Sequence, residues 1–353
     1  MHRAIELAKQ GMGFTNPNPL VGAVIVKDNR IIGEGYHEVY GGYHAERNAL
    51  ENADESVAGA DMYVTLEPCS HFGKQPPCCQ AVADAGIKNV YIGSLDPNPL
   101  VAGKGIEYLR THGVNVETNV LKSECDAINK IFFHYITTKT PYVILKAAMS
   151  IDGKCATYTG DSKWISNELS RRDVHMTRKR VSGIMVGINT VIADNPMLNC
   201  RVENPKNPTR IVCDSTLRIP VDCKLVKTAS EIPTIVATTS DNADKIDELK
   251  RRGIKIIKTA GDRVDLKILM SELGKLGIDS ILLEGGAQLN ASMLDMGLVN
   301  KLEVYIAPKI IGGINSKSII GGEGVRFVKD AYMFNNPIVK VFGDDIKIEY
   351  ERG

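Results

Sequence analysis

MYVTLEPCSHFGKQPPCCQAVADA, residues 62–85, is the stretch whose reading decides the fold of the first half of the chain. Met62 to Leu66 is a short apolar and β-branched run, Pro68-Cys69 ends it, and Cys78 to Ala85 has a helical pattern. Working outward, β-rich runs lie at Val21 to Lys27 and Asn89 to Gly93, and helical patterns at His44 to Asn52 and Gly103 to Thr111. Strand alternates with helix, which predicts an α/β layered domain. A helix is predicted from Ser123 to Thr138, and Thr138-Lys139-Thr140-Pro141 is a breaker before a strand at Tyr142 to Met149. The boundary falls there, giving domains 1–140 and 141–353.

Beyond it the alternation resumes. Strands are predicted at Gly183 to Gly187, Thr209 to Cys213, Thr234 to Thr238, Lys255 to Lys258 and Ser280 to Leu283. Helices are predicted at Asn167 to Arg180, Asp241 to Arg252, Leu266 to Lys275 and Ala287 to Met296. This is a second α/β domain with a mostly parallel sheet. Two domains also suit the length, since 353 residues can bury two ordinary cores.

Composition narrows the function. With 43% hydrophobic and 24% charged residues and a net charge of +1, the chain reads as an ordinary globular protein. Its 43 basic residues balance 42 acidic ones and aromatics make up 6%, so a basic, stacking nucleic-acid surface is not expected. No apolar run reaches the roughly 18 residues of a membrane helix, and MHRAIELAKQGMGF lacks a signal-peptide core; a cytoplasmic enzyme without membrane association is expected. Eight scattered cysteines suit reduced thiols better than a disulfide framework, and only Cys69, Cys78 and Cys79 cluster.

That cluster carries the chemistry. His44-Ala45-Glu46 opens a helix, Cys69 follows a strand, and a second cysteine comes nine positions later. One imidazole and two thiolates suit a catalytic zinc with an open fourth position, where a water's pKa falls to about 7. Glu46, two residues from a ligand, is placed to shuttle protons to a leaving amine. A His-Ala-Glu triplet or a cysteine pair alone occurs by chance; together and in this order they match H-x-E followed by P-C-x-x-C, the pattern of zinc deaminases. The departure from it is the eight-residue loop between Cys69 and Cys78, which carries His71 and Lys74 and makes Cys79 a rival third ligand.

The sequence resembles the bifunctional deaminase-reductases of riboflavin biosynthesis over nearly its whole length. The resemblance rests on Thr15 to Gly22 (TNPNPLVG), Gly33 to His37 (GEGYH), His44-Ala45-Glu46, Pro68 to Cys78, Lys146 to Gly153 (KAAMSIDG), Thr190 to Pro196 (TVIADNP) and Glu284-Gly285-Gly286. It implies a cytidine-deaminase-like N-terminal domain and a C-terminal domain similar to dihydrofolate reductase. The implied reactions are hydrolytic deamination of a diaminopyrimidinone bearing a phosphoribosylamino group, with Zn2+ on His44, Cys69 and Cys78, then NADPH-dependent reduction of the ribosyl group to ribityl. Asn18, His37 and Lys74 are implied substrate contacts in the first half; an amide offers a donor and an acceptor, and an ammonium suits phosphate.

In the second half, Leu283-Glu284-Gly285-Gly286-Ala287 places two glycines between a strand and a helix, a junction open to phosphate but not a G-x-G-x-x-G fingerprint. The resemblance implies that Ala148, Trp164, Thr190, Asp194, Ser215 and Gly286, Ala287, Gln288, Leu289, Asn290, Ala291 and Ser292 line the nucleotide. It implies that Ser162, Arg178, Leu198, Arg201 and Glu284 meet the substrate. Lys146 is added from its charge on an apolar strand, which needs a partner or a substrate. Two other classes remain open: a tRNA-type base deaminase fused to an α/β domain, which the balanced charge disfavours, and a noncatalytic zinc-stabilised binding module, which would need a closed four-ligand site. The sequence leaves homo-oligomer formation, passage of intermediate between sites, the proton donor in reduction and NADPH over NADH undecided.

Overall fold

Residues 1–72, 76–98 and 102–352 are described by the structure, a computed structural model that divides into two units, Met1–Lys139 and Thr140–Gly353. In the first, α1 (His2–Gln10) precedes the hairpin of β1 (Gly22–Lys27) and β2 (Arg30–Tyr36). Then come α2 (Ala45–Glu51), β3 (Asp61–Leu66), α3 (Cys78–Asp84), β4 (Asn89–Ser94), α4 (Lys104–Thr111), β5 (Asn115–Glu117), α5 (Lys122–Ile128) and α6 (Lys130–Thr138). The sheet order is β2-β1-β3-β4-β5, antiparallel around β1 and parallel from β3 to β5.

The period of two along each strand sorts residues between faces. Ala23, Ile25, Met62, Val64, Val90 and Ile92 join Ala45 and Ala49 of α2 and Val82 of α3 in one core, while Val24 packs with Ala4 and Leu7 of α1. Gly35 lets α2 lie directly on β2, since a Cβ there would stand 2.3 Å from the Ala49 nitrogen and 2.5 Å from the Ala45 carbonyl oxygen. This close approach sets where the start of α2, with His44 and Glu46, is held. The single helix expected over 123–138 is two helices. Asn129 stands at the break, where its buried amide accepts the Leu20 N–H at 2.8 Å and donates to the Leu20 carbonyl at 2.9 Å.

The second unit begins with β6 (Tyr142–Ser150), β7 (Lys154–Ala156), α7 (Glu168–Arg180), β8 (Gly183–Gly187) and α8 (Ile188–Asp194). It continues through β9 (Thr209–Cys213), α9 (Lys224–Lys227), β10 (Thr234–Thr238), α10 (Ala243–Arg251), β11 (Ile254–Lys258), α11 (Leu266–Lys275), β12 (Ser280–Leu283) and α12 (Ala287–Asp295). β13 (Lys301–Ala307), β14 (Lys317–Ser318), β15 (Asn335–Phe342) and β16 (Asp345–Glu351) end it. The main sheet runs β11-β10-β9-β8-β12-β6-β13-β16-β15. It is parallel from β11 to β13 and antiparallel through β16 and β15. Helices cover both faces: Leu145, Met185, Ile211 and Ile235 face one core, and Ile184, Val186, Val212 and Val236 the other.

The antiparallel edge was not predicted, because its strands carry charges that look like surface. Glu303, Lys347 and Glu349 are instead buried, Lys301 is half-buried beside them, and the four satisfy one another, with Lys301 2.8 Å from Glu303 and 2.6 Å from Glu349, and Lys347 3.0 Å from Glu303. This seam grips α7. Asp173 accepts from the Tyr305 hydroxyl at 2.5 Å and from Lys347 at 2.8 Å. Asn167 caps the helix by accepting the Ser170 N–H at 2.9 Å, and Asp345 accepts from both residues. α7 is therefore fixed in register, and with it Arg178.

Candidate active sites

Three chain segments converge in the first unit. His44 occupies the N-cap of α2, Cys69 lies just beyond β3, and Cys78 opens α3. Their ligand atoms all lie within 4.8 Å of one another, with His44 Nδ1 3.6 Å from the Cys69 sulfur and 3.4 Å from the Cys78 sulfur. Zinc bonds of about 2.0–2.1 Å to nitrogen and about 2.3 Å to sulfur, at a tetrahedral angle, put such atoms about 3.6 Å apart, so the donor set fits that ion. The Cys69 thiol is brought down to about 4, first by the hydrogen bond from the Cys78 thiol and then by His44. Cys79 packs into the apolar core instead, and burial pushes its thiol up to about 11.

Glu46 stands in the first turn of α2 and is 3% exposed. Burial pushes its carboxyl up to about 7 against the opposing pull of His44, in the range where a carboxyl can both take and give a proton. Asn18 and His37 lie together beside this centre. His37 Nδ1 is 2.9 Å from the Tyr43 carbonyl, which only accepts, so Nδ1 carries the hydrogen. Burial lowers the pKa of this ring, and its bare Nε2 takes the Asn18 amide N–H at 3.1 Å, leaving Asn18 Oδ1 as an acceptor. The His37 ring meets the His44 ring edge-on at 5.2 Å. Lys74 lies outside the described residues.

Sequence reading passed over Asp96. It follows β4 and is buried, and burial pushes its carboxyl up to about 6, with Glu67 and Cys69 among the charges that act on it. The available signal was Asp96-Pro97-Asn98, a polar turn at the carboxyl end of a parallel strand. Beside it, Glu67 accepts backbone N–H groups of Gly103 and Gly105 at 3.1 and 3.2 Å, fastening the start of α4 to the Pro68-Cys69 turn.

In the second unit the carboxyl ends of the parallel strands share one edge, where Gly187 is level with Cys213, and Leu283 with Met185 and Leu145. Glu284 follows β12 there. The Arg178 guanidinium holds its carboxylate with two bonds of 2.8 and 2.9 Å and gives a third, of 2.9 Å, to the Asn199 carbonyl. Burial pushes the Glu284 carboxyl up, but the charges of Arg178 and Lys146 outweigh it and bring it to about 2. Lys146, on β6, has its amine pushed down by burial. Arg201 keeps an exposed side chain, and its turn is shaped by Asn195 and Leu198 at φ +41 and +49.

Thr190 and Asp194 lie on α8, Ala148 on β6 and Ser215 just past β9. Gly286 is the N-cap of α12, with no side chain capping the helix; a Cβ there would come within 3.5 Å of the Thr190 hydroxyl. Uncapped N–H groups behind two glycines make a cradle suited to a pyrophosphate. Ala287, Gln288, Leu289 and Ser292 share this helix, whereas Asn290 and Ala291 are buried in the unit, and Asn290 donates to the Ile319 carbonyl at 2.9 Å. Ser162 and Trp164 precede α7, and Trp164 is 61% exposed with the Arg171 guanidinium 4.6 Å over its ring, so it is no core anchor. Arg218 was missed: it donates to Asn189 Oδ1 at 2.9 Å, which places a cation near Thr190 and three residues past Ser215.

A family model described as the cytidine and deoxycytidylate deaminase zinc-binding region matches residues 1–94, and one described as the RibD C-terminal domain matches residues 141–339. The chain is 54% identical over 352 residues to the riboflavin biosynthesis protein RibD of Actinobacillus pleuropneumoniae, covering 99% of this chain and 94% of the relative. It is 44% identical over 349 residues, with the same coverage, to the RibD of Bacillus amyloliquefaciens. The solved diaminohydroxyphosphoribosylaminopyrimidine deaminase/5-amino-6-(5-phosphoribosylamino)uracil reductase of Thermotoga maritima superposes with a TM-score of 0.90 at 37% identity, covering 100% of this chain and 97% of that one. RibD of Acinetobacter baumannii superposes with a TM-score of 0.90 at 35% identity and the same coverage.

Proposed function

The chain belongs to the RibD family of riboflavin biosynthesis, and from that premise we infer how its residues divide the two reactions. It is a zinc-dependent deaminase and an NADPH-dependent reductase acting on a small molecule. We assign deamination to residues 1–140 and reduction to 141–353. The observation that carries the reading is the convergence of His44, Cys69 and Cys78 beside the buried Glu46. His44, Cys69 and Cys78 would hold the zinc, which supplies a Lewis acid at neutral pH. Glu46 takes a proton from the attacking water and returns it to the departing ammonia. Asn18 Oδ1 accepts from an N–H on the edge of the pyrimidine, and His37 keeps that amide turned the right way.

In the second unit NADPH supplies the hydride. The α12 start and Gly286 are suited to its pyrophosphate, and Ser215 with Arg218 to the 2′-phosphate that separates NADPH from NADH. Glu284, kept ionised by Arg178, accepts from sugar hydroxyls, while Lys146 flanks it and the exposed Arg201 takes the substrate's phosphate. Arg178 thus acts through Glu284, which takes two of its five donors while the Asn199 carbonyl takes a third. The balanced charge supports a free ribotide rather than a nucleic acid as substrate.

The test is incubation of the full chain with the diaminopyrimidinone ribotide, with and without NADPH, and mass analysis of the products. Without NADPH an amine should be exchanged for an oxygen and ammonia released; with it, two hydrogens should also be gained. Reduction without prior loss of ammonia, or no loss of ammonia at all, would overturn the assignment.

A further inference from the structure

One cleft in the second unit holds residues that no step above uses. It has a volume of about 810 Å³ and lies between α7 and the turn after Cys200. Arg171, Arg172, His175, Lys179 and Arg201 line it, against only two carboxylates, Glu168 and Glu203. Its field therefore favours an anion. Part of its wall is fixed: Arg171 donates to the Ser166 carbonyl at 2.6 Å and stacks on Trp164.

His175 is the informative residue. Its Nδ1 accepts the backbone N–H of Arg201 at 3.3 Å, so in the neutral ring the hydrogen resides on Nε2. Burial first, and then the charges of Arg178 and Arg201, lower the pKa of this ring to about 4, which keeps it neutral. The residue is 8% exposed and lines the cleft, and among the described residues its Nε2–H has no hydrogen-bond partner. The Nε2 atom itself is not sealed from the cleft, so this donor of fixed tautomer is open to a ligand's acceptor there.

We propose that this cleft is the seat of the substrate's phosphate monoester, with the His175 Nε2–H as a direct donor to a phosphate oxygen beside Arg201. The inference rests on Arg201 being a phosphate contact and adds the group that makes the site selective. A neutral N–H of fixed direction donates to a phosphate oxygen at one position, whereas Arg172 and Lys179 supply attraction without a fixed geometry. His175 also ties the two elements together, since its ring nitrogen holds the backbone of the residue whose guanidinium meets the same anion.

The test measures reduction by the full chain with NADPH, using 5-amino-6-(5-phosphoribosylamino)uracil and its dephosphorylated riboside. His175→Phe keeps a flat ring and removes both nitrogens; His175→Gln restores an N–H donor. His175→Phe should raise KM for the phosphorylated substrate about tenfold, leave its kcat within about twofold, and leave KM for the riboside and for NADPH unchanged. His175→Gln should recover part of the loss, and retained ammonia release from the deaminase substrate reports an intact chain. Equal losses on both substrates would overturn the proposal by making His175 a support for the Arg201 turn. A rise in KM for NADPH alone would overturn it by giving the cleft to the cofactor. Arg201→Ala separates the premise from the inference: if it fails to discriminate the two substrates, the phosphate reading of Arg201 is wrong. If it does discriminate and His175→Phe does not, only the role of His175 falls.

Discussion

Each unit sets a carboxylate in its candidate site, and the two are held in opposite states. Glu46 is 3% exposed, and burial, opposed by His44, brings it to about 7. Glu284 feels a burial penalty too, yet Arg178 and Lys146 bring it to about 2. The difference lies in the neighbours, because a guanidinium with two parallel bonds can outweigh desolvation and a single imidazole does not. The consequence is a division of chemical labour. Glu46 is suited to carrying protons, while Glu284 is a permanent anion that can only accept hydrogen bonds and position what donates to them.

The sharpest way to break this comparison is Glu46→Gln. The amide keeps the shape but cannot move a proton, so ammonia release should fall by at least about a thousandfold while zinc content is kept. Reduction of already deaminated substrate should be unchanged, as followed by NADPH absorbance. If both activities vanish in a folded, zinc-loaded chain, the two carboxylates do not serve separate sites.

A smaller effect is expected at the other carboxylate. The folded Glu284 carboxyl lies below its ordinary value of about 4.5, so its pairing stabilises the fold above that pH and the contribution is lost as pH falls through about 2. A shift of this size corresponds to about 3 kcal/mol. Arg178→Gln, which strands the carboxylate, should cost a similar amount at neutral pH, and its deficit against the unaltered chain should shrink toward pH 2. Trp164, the single tryptophan, reports unfolding of the second unit by fluorescence. A deficit independent of pH would show that the pair contributes through packing alone.

The smallest effect separates neighbours. Cys79→Ala should leave about one zinc per chain, because its sulfur faces the core, whereas Cys78→Ala should lose most of it. Metal analysis of the two purified variants is the check, and the reverse pattern would move the third ligand by one residue.

How much of this was legible in the sequence depended on whether neighbours in space were also neighbours in pattern. The parallel strands of the second unit through β12 were readable because each is an apolar run ended by a turn; in the first unit Cys69 follows such an end, and His44 and Glu46 open a helix. The strands after α12 were not, since Lys301, Glu303, Lys347 and Glu349 neutralise one another only once paired across the sheet. Arg178 looked like one basic residue among three on a helix, Arg178-Lys179-Arg180; only its register against Glu284, 106 positions away, distinguishes it. His175 and Asp96 carry no motif, and their importance comes from burial at a site edge. Helix propensity likewise gave no warning of the interruption at Asn129, whose amide is claimed by Leu20.

That last contact has a consequence for the order in which the deaminase unit matures. The turn leading to Leu20 carries Asn18, and both polar groups of the Leu20 backbone are closed by an amide 109 positions downstream. During vectorial synthesis the ribosome has therefore released nearly the whole unit before this turn acquires its anchor, a contact of high sequence separation that local folding cannot supply. The same contact bears on truncation. A fragment ending at residue 94, where the deaminase-like similarity stops, contains His44, Glu46, Cys69 and Cys78 but not Asn129. Its turn bearing Asn18 would lack the clasp that the complete unit provides.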